Sequence, residues 1–281
     1  MLDRVDRVLL AVRDRSAGVA TFDDVLGAEF VREDRLGAPY NARRSVVQAG
    51  DSEFELLEPD GEGLVSQHLE RWREGIFAAG FSTSDLPEIT RRLDAAKLTY
   101  ERHGDQIFIE PDQTMGMRTV LQQSASRDEV GGISGLYEVT NIVEDHERAA
   151  SFYAQIFGLD QSRFSPITSE HFGYTGTLTL FDPPARLDRI EITQITQDSL
   201  AMGRFFARRG PSVYMCYAET GDVEALSERL ETLGARFEPF GDGMGLFIHP
   251  SALCGMLMGV SGTNVGWRWS GRPELAPARA S

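Results

Sequence analysis

The sequence has little of several features that mark particular classes of protein. It contains two cysteines, Cys216 and Cys254, which are too few for a disulfide framework and are not spaced like zinc ligands. No apolar run approaches the roughly 20 residues that a membrane-spanning helix needs. Lys97 is the only lysine, so Schiff-base chemistry has a single candidate. A disulfide-stapled fold and an integral membrane protein are therefore excluded.

Positive charge is also scarce. The chain has 28 Lys and Arg against 43 Asp and Glu, which gives a net charge of −15. A protein that binds nucleic acid needs a basic surface to displace counterions from the phosphates, so we expect no nucleic-acid partner. The first residues, MLDRVDRVLL, include no long apolar stretch, so we expect no secretory signal, no membrane partner and a cytoplasmic location.

What the sequence does contain is an internal repeat. The segment VRD at 12–14 recurs as VED at 143–145, and FIEPDQTMGM at 108–117 recurs as FIHPSALCGM at 247–256. Within each half, apolar periodicity gives a strand, a helix and shorter strands, and then the same order again. The sequence therefore predicts an α+β fold of four βαβββ modules in two homologous halves.

The predicted halves are separated by a polar, glycine-ended linker. We expect an N-terminal domain at 1–125, a C-terminal domain at 133–265 and a tail at 266–281. The tail is polar and proline-rich after Trp267 and Trp269, and we expect these two side chains to hold it against the body.

This order of modules resembles the vicinal oxygen chelate superfamily, which includes glyoxalases, methylmalonyl-CoA epimerases, extradiol dioxygenases and antibiotic-resistance binders. The resemblance depends on V-x-D after a first strand, ELLEP on a last strand and FIHP…GM near the end of a half. It covers residues 5–122 and 135–262 and implies two half-open-barrel domains, each built from two modules. It also implies metal ligands, commonly His and Glu, on the first and last strands of each module.

In the N-terminal half the matching positions hold Arg7, Glu55, Phe77 or Ala78, and Val120, which cannot assemble a metal site. We expect an Arg7–Glu55 ion pair inside apolar packing, and a structural role for this half. Strand alternation adds further side chains that are expected on the concave face: Leu9, Ala11, Leu57, Ala79, Phe81 and Arg118.

In the C-terminal half the matching positions hold Glu138, Glu191, Ser212 and Gly259, which predicts a polar and roomier concave face. Two carboxylates that face one cavity cannot both ionise cheaply, so the pair can act as a general acid and a general base. We expect Tyr214 to orient the substrate as a third catalytic residue. Substrate contacts are expected from eight further residues: Thr140, Thr193, Ser212, Cys216, His171, Leu257, Gly259 and Arg209.

The favoured function is therefore a metal-independent lyase or isomerase that acts on a small carbonyl-containing or aromatic molecule. Epimerisation, hydration or dehydration, and retro-aldol cleavage all suit an acid-base pair. No cofactor is expected, and the expected partner is a small-molecule substrate. The protein is expected to be a monomer or a homodimer.

Three alternatives stay open. Glu138 and Glu191 could hold a divalent cation in a metal-dependent dioxygenase or lyase. The protein could also bind an aromatic or apolar molecule without changing it, with stacking surface from Phe77, Phe81, Tyr137 and Tyr214. A strand register that is shifted by one residue would instead turn both carboxylates away from the concave face.

Overall fold

The computed structural model describes residues 1–277, and in this part of the chain it has sixteen strands and six α-helices. The N-terminal half contains β1 (Arg4–Ala11), α1 (Arg15–Leu26), β2 (Glu29–Leu36), β3 (Ala42–Ala49), β4 (Ser52–Pro59), α2 (Leu64–Trp72), β5 (Gly75–Thr83), α3 (Leu86–Ala95), β6 (Glu101–His103), β7 (Gln106–Ile109) and β8 (Thr119–Gln123). The C-terminal half contains β9 (Gly135–Val143), α4 (His146–Phe157), β10 (Phe164–Ser169), β11 (Tyr174–Leu180), β12 (Arg189–Ile195), α5 (Ala201–Arg209), β13 (Ser212–Thr220), α6 (Val223–Thr232), β14 (Phe237–Phe240), β15 (Gly245–Ile248) and β16 (Met258–Gly262).

The strands form two sheets of eight with the same order, one in each half. The first sheet runs β2-β3-β4-β1-β5-β8-β7-β6, and the second runs β10-β11-β12-β9-β13-β16-β15-β14. In each sheet the first strands of two modules pair antiparallel, β1 with β5 and β9 with β13. The predicted α+β fold of paired modules is confirmed. None of the helices in residues 1–277 combines the length and the hydrophobicity that a membrane span requires.

The repeated VRD and VED segments mark equivalent helix starts. Asp14 precedes α1 and Asp145 precedes α4, and each carboxylate accepts backbone N–H bonds from the first turn of its helix. The two helices end at Gly27 and Gly158, which have φ values of 67° and 69°, a conformation that glycine adopts without strain. The repeated sequence segments therefore mark the residues that cap α1 and α4.

Two helices, α2 and α5, were not part of the predicted modules. Each follows the last strand of the first module in its half, so this module is βαβββα rather than βαβββ. Both helices are amphipathic, with Val65 and Leu69 buried on α2 and Met202 buried on α5. They cover part of the concave face of their own half.

The apolar faces opposite the concave sides form one core that spans both halves. Phe81 on β5 contacts Phe157 and Phe181 of the C-terminal half, with ring centroids 6.1 and 6.0 Å apart. The backbone N–H of Val5 donates to Asp188 across the same boundary, at 2.7 Å. The halves therefore pack through the faces of the two sheets that lie opposite the concave sides.

The prediction that Ala79 and Phe81 face the concave side is wrong. Leu9 pairs with Ala78, but Leu10 pairs with Ile76, so β5 has an extra residue at this point. Such a β-bulge reverses the side-chain alternation beyond it. Ala79 and Phe81 accordingly belong to the core between the halves.

A second bulge explains why Cys216 does not reach the concave face. Val213 pairs with Asn141 and Met215 pairs with Thr140, which leaves Tyr214 as the extra residue of β13. The fully buried Cys216 therefore lies in the helix-side core, where its Sγ is 3.6 Å from a methionine sulfur. Cys216, which was predicted as a substrate contact, therefore does not face the concave side.

Candidate active site in the C-terminal half

The predicted acidic pair lies on two adjacent parallel strands. In the register of β9 and β12, Glu138 is opposite Arg189 and Thr140 is opposite Glu191. Residues two apart on a strand share one face, so all four side chains are on the concave side. We call the site formed by Glu138, Thr140, Arg189, Glu191 and Thr193 the C-terminal cup.

Arg189 is fully buried in this cup and is only partly paired. Its Nε donates to Glu138 Oε2 at 2.5 Å, and its guanidinium lies 5.1 Å from the ring centroid of Tyr137. In the described part of the chain neither Nη1 nor Nη2 has a hydrogen-bond partner. Leaving a buried donor unsatisfied costs about 1–3 kcal/mol, and more for a charged group. The cup thus contains a cation whose outer nitrogens lack an acceptor.

Glu191 is held by two hydroxyl groups. Its Oε2 accepts from Thr140 Oγ1 at 2.7 Å, and its Oε1 accepts from the hydroxyl of Tyr174 at 2.6 Å. Only 6% of Glu191 and 1% of Glu138 is exposed to solvent. Both carboxyl groups are therefore fixed in a nearly dry environment.

The environment changes the acidity of Glu138 strongly. Burial raises the pKa of Glu138 to about 8; the adjacent Arg189 guanidinium opposes this shift and the neighbouring Glu191 carboxylate adds to it. The Glu138–Glu191 pair should therefore keep a proton at a higher pH than an isolated carboxyl group does, although Glu138 contacts an arginine. A carboxyl group with a pKa in this range can both give and take a proton near pH 7.

The residues of the cup do not fit the divalent metal that the fold implies. Ser212, at the third ligand position, donates its hydroxyl to the carbonyl of Gly210 at 3.0 Å. At the fourth position a side chain on Gly259 would collide with the ring of Tyr217. The Arg189 guanidinium already supplies positive charge beside Glu138, and residues 1–277 include no group of three or more His, Cys, Asp or Glu that could hold a metal. Independence from a metal cofactor nevertheless stays a prediction.

The structure brings some of the predicted residues to the acidic pair. Thr140 bonds to Glu191, Thr193 is fully buried on the same face, and Gly259 lies on the opposite side of the cup, under the ring of Tyr217. Tyr214 instead packs edge-on against a phenylalanine of α5, with ring centroids 4.9 Å apart. The tyrosine that touches the acidic pair is Tyr174.

Other predicted contacts lie elsewhere. His171 is exposed in the turn between β10 and β11, where it packs edge-on against Phe172 at 4.6 Å. Leu257 is half-buried in the segment before β16. Arg209 and Ser212 line a different cavity, at the seam between the two halves.

Arg189, Tyr174 and Tyr217 were not among the predicted residues. Arg189 had a usable signal, because it stands two positions before Glu191 and must share its face if the strand is regular. Tyr174 opens a strand whose register with β12 is not evident from one sequence, and Tyr217 follows the bulge in β13. The positions of these two tyrosines depend on how the strands pair and not on the local pattern of the sequence.

Aromatic side chains cover the cup. The ring of Tyr217 lies 5.9 Å from Tyr137 on one side, 5.9 Å from Phe247 on another and 6.4 Å from Trp269. Phe247 in turn contacts Phe172, which is 41% exposed. A continuous aromatic path therefore leads from the buried carboxyl groups to the surface.

The C-terminal half contains the part of the chain that matches a known family. Residues 135–240 match the sequence model of the Glyoxalase/Bleomycin resistance protein/Dioxygenase superfamily, and the C-terminal half is therefore a domain of that superfamily. No curated protein matches the chain in sequence.

Two solved structures illustrate the likeness over the whole chain. A mutant 4-hydroxymandelate synthase from Streptomyces coelicolor has 14% sequence identity and a TM-score of 0.68, with 93% of this chain and 92% of that chain covered. A xylose isomerase-like TIM barrel/4-hydroxyphenylpyruvate dioxygenase fusion protein has 11% identity and a TM-score of 0.62, with 93% of this chain and 49% of that chain covered. At these identities the likeness concerns the fold alone.

Proposed function

We propose that the C-terminal half is a metal-independent lyase or isomerase that moves a proton on a small carbonyl-containing or aromatic molecule. One observation carries this proposal: a buried arginine with two unpaired nitrogens lies against a carboxyl group whose pKa is about 8. Unsatisfied buried charge is costly to stability, and strongly shifted carboxyl groups cluster at functional sites. Proton transfer is the chemistry that these groups support best.

Four residues of the cup have a role in such a reaction. The Nη1 and Nη2 groups of Arg189 can donate to a carbonyl or enolate oxygen of the substrate, where negative charge develops. Glu138 gives or takes the proton, and Glu191 is the complementary base, oriented by Thr140 and Tyr174. General acid-base catalysis of this kind contributes about 10²- to 10⁴-fold to the rate.

Access to the cup requires movement of the aromatic cover. Glu138 and Glu191 are almost fully buried, and neither lines one of the two main cavities, of about 300 and 240 Å³. Tyr217 rests on Gly259, which has no side chain to hold the ring in place. Rotation of this ring would open the cup toward Phe247 and the surface.

The test measures exchange of substrate C–H protons with solvent. Purified protein is incubated in D₂O with acetoacetate or 2-oxobutanoate, and deuterium uptake above buffer is followed by mass spectrometry. We expect Glu138→Gln and Glu191→Gln each to slow exchange by about 10² or more, and the exposed-site control Glu170→Gln to leave it unchanged. Wild-type exchange in both cup variants would refute the assignment. Loss of exchange in EDTA with recovery in Mn²⁺ would support the metal-dependent alternative.

The aromatic path favours a second candidate, a protein that binds a planar molecule and leaves it unchanged. Tyr217, Phe247 and Trp269 offer stacking surface that proton transfer alone does not need. A planar ligand that quenches tryptophan fluorescence, and that is recovered chemically intact with no deuterium after long incubation, would favour this candidate.

A further inference from the structure

One cavity lies away from the cup, at the seam between the halves. Its volume is about 300 Å³, and helix α2 of the N-terminal half faces the end of α5 and the start of β13 across it. We call it the seam cavity; the lining residues that matter here are His68, Arg71, Trp72, Phe77, Arg118 and Arg209. None of the five residues that define the C-terminal cup lines it, although Ser212, at the third ligand position of that half, does.

The seam cavity is positively charged in a strongly acidic protein. Three arginines line it, whereas the chain has a net charge of −15. Arg118 is neutralised by Glu110, with an N–O distance of 2.7 Å. Within residues 1–277, neither Arg71 nor Arg209 has a carboxylate within 4.0 Å. Burial and the adjacent Arg208 lower the pKa of Arg209, as expected for a cation that lacks a counter-charge.

The two unpaired arginines are held in place by aromatic contacts. The guanidinium carbons of Arg71 and Arg209 lie 4.5 and 5.1 Å from the ring centroid of Trp72. Arg209 also donates to the carbonyl of Trp72 at 3.3 Å and lies 5.2 Å from the ring of Phe205. Cation–π contacts leave the N–H edges of a guanidinium free to bind an anion. Arg209 is therefore positioned before a ligand arrives, and Arg71 lines the cavity from an exposed position.

His68 adds an unused polar atom to the same cavity. Its Nε2 is buried and has no hydrogen-bond partner among the described residues, and its ring packs edge-on against Phe77 at 5.4 Å. Burial, together with the charges of Arg209 and Arg118, lowers the pKa of His68 to about 3. The neutral imidazole can still donate one N–H to an anion.

We propose that the seam cavity binds a small organic carboxylate, which accepts hydrogen bonds from Arg71, Arg209 and His68. Arginine forks match the geometry of a carboxylate, and Phe77 and Trp72 provide an apolar surface for the body of the ligand. The volume is at the lower end of the range for ligand pockets, about 300–1,000 Å³, which suits a small acid and not a polymer. This proposal is independent of the chemistry proposed for the cup.

The experiment uses benzoate as the probe and calorimetric titration of the full chain as the readout. We expect saturable binding of benzoate, and no comparable binding of benzamide, which has the same shape and no charge. Arg209→Gln and Arg71→Gln should each weaken benzoate binding about tenfold or more. Arg208→Gln removes an exposed neighbouring charge and is the matched control, which should bind benzoate like the wild type.

Several outcomes would overturn the proposal. Equal binding of benzamide, or equal weakening by Arg208→Gln, would mean that charge at the seam cavity is not what is recognised. Binding of inorganic phosphate without binding of benzoate would assign the cavity to a phosphate group instead. Circular dichroism and the Tm of Arg209→Gln and Arg71→Gln confirm that any loss of binding occurs in a folded protein.

Discussion

Each half has an ion pair at the equivalent position of its own sheet, but the acidic and the basic residue have exchanged strands. In the N-terminal half Arg7 on β1 is opposite Glu53 on β4. In the C-terminal half Glu138 on β9 is opposite Arg189 on β12. The same fold thus contains two buried arginines at this position, and they differ in how completely each is paired.

The N-terminal arginine is saturated. Arg7 Nε and Nη2 donate to Asp6 at 3.1 and 2.6 Å, and Nη1 donates to Glu55 at 2.6 Å and lies 2.7 Å from Glu53. The predicted Arg7–Glu55 pair is therefore present, within a larger network. In the C-terminal cup, Arg189 has one carboxylate, Glu138, and two unpaired nitrogens.

Neighbouring strands account for part of the difference. Glu55 also accepts from Arg44 at 2.9 Å and from Gln106 at 2.6 Å. The strand pairings place Gly176 and Gly245 at the equivalent positions of the second sheet. The N-terminal network is filled by long polar side chains, and the C-terminal cup lacks them. We interpret the first arrangement as structural and the second as open to a ligand.

The largest expected effect comes from removing each buried arginine in turn. Arg7→Met leaves Asp6, Glu53 and Glu55 without their shared cation and should lower the free energy of unfolding by on the order of 3–5 kcal/mol. Arg189→Met should cost less than about 2 kcal/mol, because two of its nitrogens make no bond and Glu138 readily holds a proton. Urea unfolding measures both.

Equal losses from Arg7→Met and Arg189→Met would break the comparison, since they would show that Arg189 is as fully paired as Arg7. A useful control is Arg91→Met on α3, because Arg91 is exposed and solvent screens its pair with Glu88, so the free energy of unfolding should hardly change.

Glu55 in the N-terminal half and Glu138 in the C-terminal half should make the free energy of unfolding depend on pH in opposite directions. The guanidinium groups of Arg44 and Arg7 outweigh burial and lower the pKa of Glu55 from 4.5 to about 2, whereas burial raises that of Glu138 to about 8. The Glu55 contribution to stability is present above pH 4.5 and is lost as the pH falls toward 2. The Glu138 contribution is present below pH 4.5 and is lost as the pH rises toward 8.

Unfolding free energies measured across this pH range separate the two groups. Glu138→Gln should remove a slope of at most about 1.4 kcal/mol per pH unit between pH 4.5 and 8, without changing the slope below 4.5. Glu55→Gln should alter only the acid side. An unchanged slope above pH 4.5 in Glu138→Gln would mean that Glu138 titrates like an ordinary carboxyl group.

The features that sequence could predict are those set by local pattern and by the repeat. Apolar periodicity, together with the repeats of VRD as VED and of FIEPDQTMGM as FIHPSALCGM, predicted the order of elements in both halves. The inward position of Glu138 and Glu191 followed from regular alternation on β9 and β12. Each of these depends on residues that are close together in the chain.

The errors have a common physical cause. An inserted residue in a strand shifts every later side chain to the other face, and nothing in the segments around Phe77 and Tyr214 marks such a bulge. Cys216 and Phe81 were misplaced for this reason. Arg209 was predicted to contact a substrate in the C-terminal cup, but α5 ends at the seam cavity instead. The partners of a helix terminus depend on tertiary packing, which one sequence does not show.

The smallest expected effect tests whether the two halves are equivalent in their helices and strands, although their concave faces differ. Asp14→Ala and Asp145→Ala each remove the side chain that caps an equivalent 12-residue helix, α1 or α4. Each substitution should lower the free energy of unfolding by about 0.5–2 kcal/mol, because orphaned N–H groups at a helix start lose their acceptor.

The two caps should differ by less than about 0.5 kcal/mol, and the double variant should show additive losses because the sites share no partner. Asp14 accepts two N–H bonds and Asp145 accepts one, so any excess should fall on Asp14→Ala. Urea unfolding at neutral pH decides this, with Asp14→Asn and Asp145→Asn as capping-competent controls. A large difference between the two losses in free energy of unfolding would mean that the halves also differ in their helices. The contrast between Arg7 and Arg189 would then be only one of several differences between the halves.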